Sequence, residues 1–310
     1  MIKNKYLYTT VYKEQESSMA KMELNKMFNQ VINSNIIISD LNIDVNRSVF
    51  IKAKMTIKNE NKIYDELVKE IELLEYYYDD YKVVFLKHQY LDLDYEKRLE
   101  KCKEIGYHIL GDFSLYQPTI EFAITVYENK WYFGKLEKND ISWQKHLDKP
   151  ENFSNSLPIR VARTIVNIAT GNNKDLKLVD PCCGVGTVLL EAYELGYNIE
   201  GYDISYRNVE HTRKNINYYK YDISCTKSDI KDISKHYDVA IIDLPYDLYA
   251  KISYKEQYSI LKNSYNICDK LVLVTNSDNR KELEEIGYKN IEMSYVIKQQ
   301  FKRYIFVAYH

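Results

Sequence analysis

A short, mostly apolar run, Leu176 to Val179, leads directly into Asp180-Pro181-Cys182-Cys183-Gly184-Val185-Gly186-Thr187. A strand that short and apolar is buried on both faces, which is the habit of parallel sheets. The glycines demand a sharp turn, and Thr187 to Leu195 then has helical periodicity. The unit recurs. Asn198 to Tyr202 reads as a strand and Ser205 to Asn217 as a helix, and Val239 to Ile242 is another buried strand. Leu271 to Thr275 is a further strand, with a helix from about Arg280 to Glu285. Ile291 to Ile297 and Phe301 to Ala308 read as a closing antiparallel hairpin, and Leu157 to Ala169 as a helix running up to the first strand. Alternating strand and helix of this kind specifies an α/β fold with a mostly parallel sheet covered on both faces.

The part upstream is looser. Strands are expected at Tyr6 to Tyr12, Val49 to Ile57 and Lys82 to Leu86, and helices at Ser18 to Phe28, Tyr64 to Tyr77 and about Tyr95 to Ile109. Phe122 to Val126 and Lys130 to Leu136 flank Glu128-Asn129 as a hairpin. Two small α+β units fit this order better than one. The polar segment Asp148 to Asn152, with Pro150, marks the change of pattern.

The chain of 310 residues carries a formal charge of −2, so any nucleic-acid partner must be held by local basic patches. Lys298, Lys302 and Arg303 on the late hairpin are candidates, although a solvated hairpin edge explains them as well. Tyr76-Tyr77-Tyr78 could stack on bases, or could simply be packed aromatics at a helix end. The five cysteines form no CxxC pair, which fits buried thiols in a reducing cytosol and no metal site. No leader and no membrane-length apolar run is visible, so a cytoplasmic protein is expected.

Two loops carry the chemistry. In the first, Gly184 and Gly186 let the backbone approach a ligand, and the next helix offers free N–H groups at Thr187. The following strand ends in Gly201-Tyr202-Asp203, whose carboxylate suits a ribose diol. A dinucleotide site shares these features, but its fingerprint needs a third glycine where this chain has Leu189. Asp180 also suits a cofactor with a cationic amino-acid end better than a pyrophosphate. Ser228-Asp229-Ile230 could recognise an adenine, or be a solvated loop. In the second loop, Asp243-Leu244-Pro245-Tyr246 follows a buried strand and so sits at the same sheet edge. The Asp243 carboxylate and the Leu244 carbonyl can accept both hydrogens of an exocyclic amine. Pro245 fixes the backbone, and Tyr246 can stack on a base lifted out of its helix.

These residues resemble the THUMP-containing RNA guanine-N2 methyltransferases that act on guanosine at position ten of tRNA. Phe153-Ser154-Asn155-Ser156-Leu157-Pro158, Asp180 to Thr187 and Asp243 to Tyr246 carry the resemblance, with Leu115 to Phe122 and Trp131 to Leu136 as a weaker THUMP-like match. The resemblance implies a ferredoxin-like domain over 1–45 (extending to about 60 at most) and a THUMP-like RNA-binding domain over 46–142. A Rossmann-like class I methyltransferase domain is implied over 143–310. S-adenosylmethionine would be held by Phe153, Ser156, Asp180, Pro181, Cys182, Gly184, Gly186, Thr187, Asp203, Ile204, Asp229 and Ile230. Catalysis would fall to Asp243, Leu244, Pro245 and Tyr246, on an RNA, tRNA above all, by a monomer that needs no metal. Leu244 and Asp247 depart from the family's usual proline and glycine. An rRNA guanine or DNA amino methyltransferase and a non-catalytic RNA-binding protein are the competing expectations.

Overall fold

The computed structural model describes residues 4–153, 156–244, 252–298 and 301–310. They form two compact units, one of residues 1–11 and 32–140, the other of residues 12–31 and 141–310.

Strand β1 (Tyr6–Thr10) opens the first unit, and helix α1 (Ser17–Phe28) belongs to the second. β2 (Ile36–Ser39), β3 (Ile51–Asn61), α2 (Tyr64–Leu73), β4 (Tyr81–Phe85), α3 (Tyr95–Tyr107), β5 (Ile120–Tyr127) and β6 (Lys130–Lys138) complete the first unit. Its strands make one six-stranded sheet in the order β2-β1-β3-β6-β5-β4. β1 pairs antiparallel with β3, so the sheet runs across residue 45, where a boundary between two small domains was expected. Glu128 and Asn129 join β5 to β6 with φ of 51° and 57°. Two positive φ angles give the turn whose twist matches a right-handed hairpin. Tyr78 packs on Phe122 with ring centroids 4.8 Å apart and Tyr76 on Phe133 at 6.3 Å, while Tyr77 points outward. Two of the three tyrosines are therefore core aromatics.

The second unit contains α4 (Ile159–Thr170), β7 (Lys177–Asp180), α5 (Thr187–Glu194), β8 (Asn198–Asp203), α6 (Tyr206–Tyr219), β9 (Cys225–Lys227) and β10 (Tyr237–Asp243). α7 (Tyr254–Ile267), β11 (Cys268–Thr275), α8 (Arg280–Ile286), β12 (Lys289–Lys298) and β13 (Phe301–Tyr309) follow. The seven strands lie in the order β12-β13-β11-β10-β7-β8-β9. From β11 through β10, β7 and β8 to β9 every pairing is parallel; β13 alone is antiparallel to its neighbours. Helices α7 and α8 cover one face, where Leu261, Ile267 and Leu283 meet Val179, Ala240, Ile242 and Leu273. Burial on both faces is why these strands read as continuous apolar runs.

Arg163 is the charged exception on the buried face of α4. Its guanidinium donates to Glu191 Oε2 of α5 at 2.8 Å, and the other carboxylate oxygen lies 2.6 Å from His146 Nδ1. All three side chains are almost fully shielded from solvent. A buried charge is tolerated only with its partner, and removing one member strands the rest. Glu191→Leu is therefore expected to lower the stability of the second unit by about 3–5 kcal/mol in urea unfolding. Replacing Arg163, His146 and Glu191 together by apolar residues of similar volume should cost far less.

Candidate active site

The turn after β7 is built around two left-handed glycines, Gly184 (φ 55°) and Gly186 (φ 80°). A Cβ on Gly186 would fall 2.8 Å from Thr212 Cγ2, so this position also needs the missing side chain for space. Asp203, at the end of β8, ties the turn to its neighbour. Its Oδ2 accepts from the Gly184 N–H at 2.9 Å, and its Oδ1 from the Ser205 N–H at 2.8 Å. Asp180 Oδ1 accepts from the Cys182 N–H at 3.1 Å.

Leu189, which replaces the third glycine of a dinucleotide fingerprint, packs against Gly201 of β8. A Cβ on Gly201 would lie 2.4 Å from Leu189 Cδ1. The small residue needed for close helix–strand approach is present, but it stands on the strand.

These elements enclose a cavity of 520 Å³. Its lining includes Phe153, Ser156, Asp180, Pro181, Cys182, Gly184, Thr187, Asp203, Ile204, Asp229, Ile230, Asp243 and Leu244. Gly186 stands behind the turn against Thr212 instead of on the wall. Phe153 and Ser156 close a small loop, with the Phe153 N–H donating to Ser156 Oγ at 3.1 Å and the Ser156 N–H to the Phe153 carbonyl at 3.0 Å. Ile204 is 67% exposed at the rim, an apolar face available to a flat ring. Asp229 caps a short 3-10 turn, accepting from the Lys231 N–H at 3.1 Å. Pro245 and Tyr246, expected in the catalytic loop, lie outside the described residues, as does Asp247.

The cavity is acidic. Burial pushes the Asp180 carboxyl well above the ordinary range, and Asp203 and Asp243 push it further. Burial also raises Asp203, against the N–H groups that lower it. Asp243 is raised to about 6 by burial, with Arg303 pulling the other way. Its Oδ1 is shut off from solvent and accepts no hydrogen bond among the described residues, and neither does the buried Thr187 Oγ1. Shielded polar atoms without partners are costly, and both of these belong to residues that line the cavity. Crowded carboxylates repel phosphate and attract a cation, which disfavours a pyrophosphate cofactor. Among the described residues, no group of three or more His, Cys, Asp or Glu could hold a metal, and no helix is long and apolar enough to cross a membrane.

Helix α7 supplies wall residues that sequence patterns did not bring out: Ile252 just before it, then Glu256, Ser259 and Ile260. The signal was Ser253-x-x-Glu256, a reciprocal cap in which Glu256 Oε2 accepts from the Ser253 N–H at 2.7 Å. On the closing hairpin, Lys302 lies over the rings of Tyr295 (4.1 Å) and Tyr304 (4.7 Å), and the Arg303 charge acts on Asp243.

Ionised Asp243 is disfavoured in the fold, so its contribution to stability runs opposite to that of a salt-bridged aspartate. Its contribution is fully present below about 3.8, is lost as pH rises from there through about 6, and changes no further above. Asp243→Asn should therefore stabilise the ligand-free protein at pH 8 by on the order of 1 kcal/mol. That gain should vanish below pH 4 in thermal melts run across the range.

Residues 149–261 match the family model described as UPF0020, the RMKL-like methyltransferase domain. A tRNA (guanine(10)-N2)-dimethyltransferase from Methanothermobacter thermautotrophicus is 33% identical over 118 residues, 37% of this chain and 35% of that protein. The enzyme of the same description from Methanocaldococcus jannaschii is 28% identical over 151 residues, 44% of this chain and 42% of that one. The aligned stretches thus span well under half the length of these curated relatives. The crystal structure of TrmN from Thermus thermophilus aligns with a TM-score of 0.49 at 12% identity, over 98% of this chain and 99% of that one. The parallel sheet with one reversed strand gives the second unit a Rossmann-like arrangement, and residues 149–261 within it match a methyltransferase domain model.

Proposed function

We propose that this protein methylates the exocyclic N2 amine of guanosine in RNA, with tRNA the favoured substrate, using S-adenosylmethionine. One observation carries the reaction type. Asp243 ends β10 in the same cavity as Asp180 and Asp203, with its Oδ1 shielded and without a partner among the described residues. The sequence similarity to tRNA guanine-N2 enzymes supports the target.

Bound in the cradle, S-adenosylmethionine supplies an electrophilic methyl group on a cationic sulfur. Asp180 offers negative charge to the amino-acid end, and the loop of Gly184, Gly186 and Thr187 offers N–H groups and a hydroxyl. Asp203 and Ile204 would hold the ribose and Asp229 and Ile230 the adenine, with Phe153, Ser156, Pro181 and Cys182 completing the lining. Asp243 Oδ1 accepts one hydrogen of the target amine and the Leu244 carbonyl the other. That pairing draws the lone pair out of conjugation with the ring, and the amine proton passes to Asp243. Positioning supplies most of the acceleration, because two reactants are held in one cavity. The Leu244 side chain is buried in the core and its N–H donates to the Val274 carbonyl at 2.9 Å. A leucine here fills the core and supplies that N–H while keeping a backbone carbonyl at this position.

The test is transfer of tritiated methyl to purified tRNA, rRNA and duplex DNA. Label is expected in tRNA at guanosine N2; label in DNA alone would falsify the RNA assignment. Turnover should rise with pH through about 6, as Asp243 loses its proton. Asp243→Ala should abolish transfer while leaving cofactor affinity nearly unchanged in calorimetry. Loss of both would mean that Asp243 has another role.

A further inference from the structure

Helix α6 contributes one residue, Asn208, to the lining of the cavity, yet a single stripe on it bonds to Asp203, to the glycine turn and to Glu151. Asn208, Thr212 and Asn215 are spaced i, i+4 and i+7, which places them on one helical face. Asn208 Nδ2 donates to Asp203 Oδ1 at 3.2 Å. Thr212 Oγ1 donates to the Gly184 carbonyl at 2.7 Å, and its methyl group occupies the space beside Gly186. Asn215 Nδ2 donates to the carbonyls of Val185 and Glu151, each at 2.9 Å, while its Oδ1 accepts from the Glu151 N–H at 2.9 Å.

Thr212 and Asn215 are completely buried. A buried asparagine in the middle of a helix is costly unless its amide is satisfied. Here both donors and the acceptor are used, one bond going to Val185 in the glycine turn and two to Glu151. The neighbouring stripe packs on Phe153 and Glu151. His211 packs edge-on against Phe153 with centroids 5.2 Å apart, and its Nδ1 lies 2.5 Å from Glu151 Oε2. The Arg207 guanidinium stands 5.9 Å from the centre of the same ring.

We infer that Asn208, Thr212 and Asn215 are positioning residues that set cofactor affinity by holding the glycine turn, the carboxylate of Asp203 and the Glu151–Phe153 segment in their binding geometry. The inference rests on the reading that the cavity holds S-adenosylmethionine. The turn owes its shape to two glycines free to adopt many conformations, so an outside clamp is what fixes it before the ligand arrives. The bonds of the stripe go to Asp203, Gly184, Val185 and Glu151, and none of them to Asp243. The stripe should therefore act on binding of the cofactor and leave the chemical step alone.

The measurement is cofactor Kd by calorimetry, with KM and kcat for methyl transfer at saturating RNA. Thr212→Val keeps the shape and removes the bond to Gly184. Its Kd and KM for S-adenosylmethionine are expected to rise roughly three- to tenfold. Its kcat at saturating cofactor should stay within about twofold of wild type. Thr212→Ser restores the hydroxyl and should restore the affinity. Asn208→Ala, at a partly exposed position that tolerates truncation, should weaken binding similarly even if Thr212→Val fails to fold. A folded Thr212→Val with unchanged Kd overturns the inference, as does a Thr212→Ser as weak as Thr212→Val, or a loss confined to kcat. A wild type that binds no S-adenosylmethionine overturns the cofactor reading and this inference with it. A wild type that binds normally beside unaffected variants overturns this inference alone.

Discussion

Everything in the second unit depends on the parallel pairing of β7 with β10. From β7 the chain builds outward through β8 to β9; β10 lies on the other side of β7, and β11 beyond it. The strand order reverses there, so the connections leaving β7 and β10 diverge and open a crevice at the carboxyl edge. Asp180 and Asp243, the last residues of these two strands, are delivered to it by the sheet itself. Asp203 arrives the same way at the end of β8, one strand over. Three acids are gathered at one cavity by backbone pairing, and the cost of gathering them favours a cation there.

The parts legible from sequence were those where one residue type has one physical reason to be present. Short apolar runs announced buried strands, Gly184 and Gly186 announced a left-handed turn, and Glu128-Asn129 announced a hairpin. Asp180, Asp203 and Asp243 could be placed because each closes such a strand, and most of the residues expected to hold a cofactor do line one cavity. What escaped notice was helix α7, whose tyrosines, lysines and asparagines blur its periodicity. β2 escaped because four residues are too few to show a pattern. The pairing of β1 with β3 joins segments some 45 residues apart, and nothing local records it. The stripe on α6 was invisible for another reason: Asn208, Thr212 and Asn215 look like ordinary polar helix residues until their partners are known.

Two departures from common patterns have structural reasons. Leu189 occupies the volume that Gly201 leaves empty, so helix α5 and strand β8 approach closely with the small residue moved from one to the other. Leu244 adds one more rung between β10 and β11, which proline could not supply because it lacks the N–H. Both are exchanges within a fixed geometry. They change which residue meets a requirement and leave the requirement intact.

The acidic cradle has a consequence for what the folded chain stores. A carboxyl held above its ordinary range retains its proton at pH values where a free aspartate has given it up. The ligand-free cavity is thus a small proton reservoir, charged by folding itself. A cationic guest that favours the ionised acids discharges it into solution. Association at this site is then an exchange of one kind of positive charge for another, and the acidity of the surroundings becomes a competitor for the seat.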